Sequence, residues 1–373
     1  MKTKTLGVYC HIPFCVKKCA YCDFYSGSFY PLADAYIDAI LTEARLLKEK
    51  YPDAAVDTVY FGGGTPSSLT KEQLETLLTG IISVFSPISN AEITLEANPA
   101  TLDEEKLSVL KQCGVNRISI GVQSADDNEL EALTRLHTFE EFVRTYRLVK
   151  RYLSNVSLDL MYGLPNQTLD SFKKTLDEII SLDPEHISLY ALKIEENTPF
   201  GKIRELLTLP DDDAVSDMYL YACEKLENIG FHQYEISNFA KQDSYSRHNL
   251  RYWEGKEYIG LGPSAHAYLD GIRYANAPDI HAYITKLTSN ELPPRSEEYP
   301  LNEGDLLEEA IILPLRLTKG LDLKKLKDNH GLDLRPKLTP FIQGGFMLLN
   351  GDIVSFTPQG FLVSNTILSE LIP

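Results

Sequence analysis

Between residues 6 and 194, short strand-like runs alternate with amphipathic helical runs six times. That rhythm restricts the chain to a parallel α/β fold, because adjacent parallel strands need a long crossover and a helix supplies it. The strand-like runs are LGVYCHI (6–12), DTVYFGG (57–63), EITLEAN (92–98), RISIGVQ (117–123), VSLDLMYG (156–163) and HISLYALKI (186–194). One helical run carries Leu74, Leu77, Leu78, Ile81, Ile82 and Phe85 on a single face, behind a Thr70 cap with Gln73 three residues on. Another gathers Leu169, Phe172, Leu176, Ile179 and Ile180. Both should lie outside a sheet.

Successive strand residues point to opposite faces, so the apolar set Ile93, Leu95, Ile118, Ile120, Val122, Val156, Leu158 and Leu160 belongs under the helices. Thr94, Glu96, Asn98, Ser119, Gly121, Gln123, Ser157 and Asp159 then face the other way, which in an α/β barrel is the lumen. By the same parity Tyr9 and His11 share one face of the first strand and Cys10 takes the other. Buried charges such as Glu96 and Asp159 need partners. Internal ion pairs and water would serve, and so would a polar ligand.

After about residue 200 the alternation stops. A helix is expected from Asp211 to Ile229, with Val215, Met218, Tyr219, Ala222, Leu226 and Ile229 on one face and Gly230 as its stop. A loop rich in His and aromatics follows, and the Pro- and charge-rich stretch 290–300 reads as a linker. Beyond it, EGDLLEEAIILPLRL and GDIVSFTPQGFLV suggest a small α+β domain. The expected division is a core at 1–235, a barrel-side extension at 236–292 and a C-terminal domain at 293–373.

Half of the six cysteines, Cys15, Cys19 and Cys22, fall within eight residues just after the first strand. Cys113 and Cys223 read as ordinary core residues. A net charge of −17 excludes a nucleic-acid backbone as the main partner and disfavours membrane surfaces. No run approaches the roughly 18 apolar residues of a spanning helix. The basic start is broken by His11 and Pro13, so a cytoplasmic protein with reduced thiols is expected. Three thiolates at Cys-x3-Cys-x2-Cys spacing can close on one metal centre. Zinc would ask for a fourth ligand, for which His11 is the candidate, and iron–sulfur clusters usually take four cysteines as well. With three, one metal corner stays open for chemistry.

Cys15, Cys19 and Cys22, with Tyr21 just before the last, resemble the signature of radical S-adenosylmethionine (SAM) enzymes. That resemblance implies a 4Fe-4S cluster on the three cysteines, a free iron that binds the amino and carboxylate groups of SAM, and a partial (β/α)6 barrel. It further implies that one-electron reduction of the sulfonium yields a 5′-deoxyadenosyl radical. The resemblance carries SAM contacts to Tyr9, Tyr21, Gly63, Gly64, Thr65, Glu96, Gln123, Arg135 and Asp159. The glycines would let backbone approach the ligand and leave N–H groups free to meet it. Thr134 stands where relatives tend to have Gly before the arginine.

HIPFC, GGGTPS, GVQS, YGLPNQT and YEISNFA are similar to one subgroup, the oxygen-independent coproporphyrinogen III dehydrogenases and their haem chaperone relatives, over nearly the whole chain. This implies a small, winged-helix-like C-terminal domain. The dehydrogenases have a further cysteine where this chain has Phe24, and a long extension before the first strand where it has eight residues before Tyr9. RHNLRYW (247–253) resembles the His-Asn-x-x-Tyr-Trp motif of the haem chaperones. His248 is therefore a candidate axial iron ligand, with Tyr252 and Trp253 as flat surface for a macrocycle and His266 as a second candidate. From the residues alone, packing of the barrel's open side explains the motif equally well. The resemblance favours a haem chaperone with cluster, SAM and haem, delivering haem to acceptors that include membrane-associated respiratory proteins. The alternative is oxidative decarboxylation of coproporphyrinogen III, so whether the protein is an enzyme stays open.

Overall fold

Residues 4–372 are described by a computed structural model. Strands β1 (Thr5–Ile12), β2 (Ala55–Gly63), β3 (Glu92–Ala97), β4 (Arg117–Gln123), β5 (Asn155–Tyr162) and β6 (His186–Ala191) lie side by side in sequence order, all parallel. Their crossovers are α1 (Ala33–Lys50), α2 (Lys71–Phe85), α3 (Glu104–Gln112), the pair α4 (Asp127–Ala132) and α5 (Phe139–Lys150), and α6 (Leu169–Ser181). The α2 capping box of Thr70 and Gln73 forms as the sequence predicts. This is a barrel sector with its helices outside, as expected.

The sheet does not close but grows at both ends. After β6, α7 (Pro199–Lys202) and α8 (Asp212–Asn228) lead to β7 (His232–Gln233) and β8 (Asn238–Ala240), and β8 pairs antiparallel with β6. Asp211 caps α8, and Gly230 follows it at φ +89°. Next come α9 (Arg247–Trp253), then β9 (Tyr258–Leu261), β10 (His266–Leu269), β11 (Ile272–Asn276), α10 (Ile280–Thr288) and β12 (Arg295–Pro300). Strand β9 joins β1 in parallel, and β10 to β12 complete a 12-stranded sheet. The stretch read as a linker at 290–300 therefore contains a strand. Its composition misled because β12 is an exposed edge, where charged residues and a terminal proline deter further pairing.

The C-terminal unit comprises α11 (Glu303–Leu315), β13 (Leu321–Asp322), α12 (Leu323–His330), α13 (Arg335–Gln343), β14 (Met347–Asn350), β15 (Ile353–Phe356), α14 (Pro358–Leu362) and α15 (Ser364–Leu371). Its three strands form a separate antiparallel sheet, as the α+β reading expects. Among the described residues, no helix is long and apolar enough to cross a membrane.

Two contacts fix the extension on the barrel. Glu43 of α1 is buried and accepts hydrogen bonds from Gly262 N (2.8 Å), Asn276 Nδ2 (2.8 Å) and the Tyr283 hydroxyl (2.5 Å), tying β11 and α10 to α1. At the N-terminal end of the lumen, Glu92 accepts from the backbone N–H groups of Arg247 (3.0 Å) and His248 (2.9 Å). That pair satisfies donors a helix start leaves open, and it seats α9 across the base of the barrel.

Candidate active site and adjoining chamber

The loop after β1 holds Cys15, Cys19 and Cys22 as free, half-buried thiols. Its path is fixed from three sides. Cys15 N donates to Gly27 O (3.0 Å) and Gly27 N to Pro13 O (2.9 Å), closing the loop on itself. From the end of β2, Gly64 N donates to Ile12 O (2.9 Å) and Thr65 N to Phe14 O (2.8 Å). The third anchor is Ala20, whose N–H donates to Thr134 Oγ1 (3.0 Å).

Thr134 has φ +58°, a region glycine enters freely and threonine enters at a cost. Its hydroxyl compensates by tethering the cysteine loop. Thr134→Gly should therefore leave stability within about 1 kcal/mol of the parent, since relief of strain offsets one lost hydrogen bond. Iron loss to a chelator should nonetheless accelerate by roughly fivefold, the equivalent of that tether; an unchanged rate would show that Ala20 needs no such anchor.

The parity reading of the lumen holds for Glu96, Asn98, Ser119, Gly121, Gln123 and Asp159, whereas Thr94 and Ser157 are buried and do not line its cavity. One cavity of about 390 Å³ is lined by Cys15, Cys19, Cys22, Tyr21, Gly63, Gly64, Thr65, Glu96, Gln123, Arg135 and Asp159. Of the residues assigned to cluster and SAM, Tyr9 alone is missing from it; its hydroxyl bonds to His11 Nδ1 (3.0 Å) in a neighbouring cavity.

The glycine segment departs from expectation. The N–H groups of Gly63, Gly64 and Thr65 are not free: they donate to Glu96 Oε2 (3.0 Å), Ile12 O and Phe14 O. At Gly64 the missing Cβ admits protein backbone rather than a ligand, since a Cβ there would lie 2.7 Å from Ile12 O.

Glu96 also accepts from Tyr60 OH (2.8 Å), and burial pushes its carboxyl up to about 7 despite these donors. Burial likewise raises Asp159, which accepts from Ser119 Oγ at 3.0 and 3.2 Å. Arg135 reaches Gly121 O with Nη2 (2.6 Å) and Cys19 Sγ with Nη1 (3.5 Å), placing a fixed cation beside the cysteine loop. Gln123 sits at φ +68°, just past a register shift against β5, and that bulge turns its side chain into the cavity.

The thiol donor set fits a multi-iron cluster better than a single ion. Among the described residues, no group of three His, Cys, Asp or Glu side chains is placed to hold one metal ion. His11 is not placed as a fourth zinc ligand, because it lines the neighbouring cavity rather than the one the cysteines share, with its nitrogens on Tyr9 OH and Tyr25 O (2.7 Å). The three sulfurs share one cavity wall, as ligands to separate corners of a cluster would.

A second cavity, of about 480 Å³, adjoins the first and includes Tyr9, His11, Tyr25, His248, Tyr252, Tyr258 and His266 in its lining. Phe24, Tyr60, Glu96, Tyr190 and Asn249 line both and form the wall between them. His248 lies at its base, 1% exposed, stacked on Tyr60 at 5.2 Å. Its Nδ1 meets Thr58 Oγ1 (2.9 Å) and its Nε2 meets Tyr252 OH (2.7 Å). Burial, with Arg251 and Arg117 nearby, lowers its pKa to about 3 and keeps the ring neutral. Trp253 does not share this surface. It lines a separate pocket on the other side of α9 with Leu313, Pro314 and Leu326, because successive helix positions point in different directions. His266 is the exposed imidazole of the second cavity, with Nδ1 3.3 Å from Glu297.

Sequence reasoning missed Thr58, Tyr60, Arg117, Ser188, Tyr190 and Asn249. The same alternation, carried through β2, the start of β4 and β6, picks out all of these but Asn249, which α9 delivers from outside the strand pattern.

Residues 9–179 match the Radical SAM superfamily, and residues 301–363 match the HemN C-terminal domain. A Bacillus subtilis protein named Heme chaperone HemW is 37% identical over 98% of this chain and 99% of its own. One of the same name from Escherichia coli is 35% identical over 99% and 98%. The fold matches coproporphyrinogen III oxidase (HemN) from Escherichia coli with a TM-score of 0.86 at 23% identity, covering 99% of this chain and 90% of that one. The cysteine loop, the parallel lumen strands and full-length identity above 30% together place this chain in the radical SAM superfamily, within the family of proteins named Heme chaperone HemW.

Proposed function

We propose that this protein binds haem in the second cavity, carries a 4Fe-4S cluster and SAM in the first, and passes the haem to an acceptor protein. The observation that carries the proposal is the pair of chambers divided by one wall, with a neutral imidazole at the base of the second. When bound, the cluster and SAM supply one-electron reductive chemistry to the first chamber. Cys15, Cys19 and Cys22 would hold the cluster. Glu96, Gln123, Arg135 and Asp159 would bind SAM, with Tyr21 against the cysteine loop.

For haem, His248 is the leading ligand. In the tautomer whose Nδ1–H donates to Thr58 Oγ1, Nε2 carries the lone pair and would be the nitrogen to hold haem, with the Tyr252 hydroxyl now bonded to it giving way. Tyr252, Tyr258 and Tyr25 offer aromatic surface, and His266 is placed to reach a macrocycle from the open side. Phe24, 67% exposed, replaces the additional cysteine of the dehydrogenases with apolar surface facing both chambers. A haem-accepting partner is in keeping with the relatives' name, and membrane-associated respiratory proteins are the acceptors proposed. Six free thiols support a reducing, cytoplasmic setting.

Haem titration tests the reading. Wild type should develop a shifted Soret band, and His248→Ala should weaken haem binding at least tenfold. No band in wild type, or equal affinity in the variant, would sink it. Anaerobic, reconstituted protein given dithionite, SAM and coproporphyrinogen III should form no protoporphyrinogen; steady product formation would move the protein to the dehydrogenase side.

A further inference from the structure

The floor of the first cavity carries a charge that neither the cluster loop nor the haem ligand uses. Arg117, the first residue of β4, is 2% exposed and lines this cavity alongside Ser119, Ser188 and Asn249. A guanidinium this far from water is costly unless an anion meets it. Arg117 has no ion pair within 4.0 Å among the described residues, and its Nε has no hydrogen-bond partner.

The lumen carboxylates spend their hydrogen bonds elsewhere, although the Arg117 charge still acts on Glu96 and Asp159 through space and favours their ionised forms. Glu92 takes the backbone of α9, Glu96 takes Tyr60 and Gly63, and Asp159 takes Ser119. Nor can His186 compensate: its nitrogens meet Ser157 Oγ (2.7 Å) and Tyr234 OH (2.8 Å), and burial plus the Arg117 charge keep it neutral. Thr94 pairs with Arg117 across β3 and β4, and its buried hydroxyl also lacks a partner.

We propose that Arg117 is a receptor for the carboxylate of a ligand that reaches the floor of the first cavity. A guanidinium presents two parallel N–H groups to a carboxylate. The inference rests on reading this cavity as a ligand chamber. Two ligands of that reading carry a carboxylate, and because the resemblance gives the methionyl carboxylate of SAM to the cluster iron, a haem propionate is the favoured occupant and SAM the other outcome.

Calorimetry on anaerobic, cluster-reconstituted protein separates the sources. Wild type, Arg117→Met and Arg117→Lys are titrated with SAM, decarboxylated SAM, haem and haem dimethyl ester. Arg117→Met should lose ~10–100-fold in affinity for one carboxylate ligand, the range of a charge-assisted pair, and nothing for its carboxylate-free analogue. Loss confined to SAM assigns the methionyl carboxylate, and loss confined to haem assigns a propionate. Arg117→Lys should recover part of the affinity, since it keeps the charge without the fork.

Ligand-free Arg117→Met should melt no lower than wild type, because it removes an unmatched charge. A lower melting temperature with unchanged affinities would make Arg117 a countercharge for Glu96 and Asp159 and overturn the inference. Wild-type binding with no effect of either substitution overturns the inference alone. Wild type that binds neither SAM nor haem overturns both this and the proposed function.

Discussion

Gly64→Ala is expected to destabilise the protein by about 3 kcal/mol, from overpacking and the loss of backbone hydrogen bonds. It should also abolish iron incorporation. A Cβ at this position would stand 2.7 Å from Ile12 O, 2.8 Å from Phe14 O and 2.9 Å from Phe14 N. All three are backbone atoms, so no side chain can rotate away. The displaced segment would lose the bonds from Gly64 N to Ile12 O and from Thr65 N to Phe14 O, which set the height of Cys15 above β1. Urea unfolding gives the stability change, and iron content after anaerobic reconstitution gives the loop. Gly271→Ala is the control, since its Cβ would meet nothing within 4 Å. Its φ of +75° costs about 1 kcal/mol but lies far from the cysteines in sequence and on the extension. Normal iron content in Gly64→Ala would show that the glycine is not what holds the loop in place.

The second large effect is in pH. Glu43 accepts three hydrogen bonds, all of which favour its ionised form, yet burial prevails and pushes its carboxyl up to about 7. Tyr283, Asn276 and the Gly262 amide face it directly, Cys10 and Tyr36 lie close by, and Arg295 is the nearby cation. The unfolded chain ionises this group near 4.3. Below that pH both states are protonated and the contribution to stability is fully present. As pH rises through about 7 it is lost, because only the unfolded state ionises without penalty. One unit corresponds to about 1.4 kcal/mol, so the loss approaches about 4 kcal/mol.

Glu96 and Glu235, also near 7, and Asp159 act in the same direction. Exposed carboxylates act oppositely: Lys241 holds Asp183 low, and that contribution disappears in acid. The ligand-free protein should therefore melt highest at mildly acidic pH and several degrees lower at pH 8. Glu43→Gln, which mimics the neutral acid, should flatten the alkaline side of the profile; an unaltered slope would remove Glu43 as its source.

Much of this was legible from residues because alternation is a local property. The facing of Glu96, Gln123 and Asp159 into a lumen follows from parity once the neighbouring apolar residues are sent under the helices. Thr70 and Asp211 announce their helices because capping involves residues only a few positions apart. What stayed hidden depends on distant segments meeting. Nothing in GGGTPS says that the N–H groups of Gly64 and Thr65 will be consumed by the segment leading into the cysteine loop, a contact across about fifty residues, or that of Gly63 by Glu96. The charge pattern of β12 looks like a linker until β11 supplies its partner. Trp253 follows Tyr252 in sequence but serves another surface, because a helix turns between them. The loneliness of Arg117 is invisible in RISIGVQ, since it is defined by where Glu92, Glu96 and Asp159 spend their bonds.

The wall between the chambers has a consequence for how they would communicate. Glu96 is held from one side by Gly63, which abuts the cysteine loop, and from the other by Tyr60, which stacks on His248. An occupant that shifted this carboxylate would also tilt the tyrosine, so under the proposed function filling one compartment would change the affinity of the other. Thermodynamic reciprocity then requires the influence to run backwards by the same factor. A loaded cargo would thus tune how tightly the cofactor is gripped, as much as the cofactor tunes the cargo.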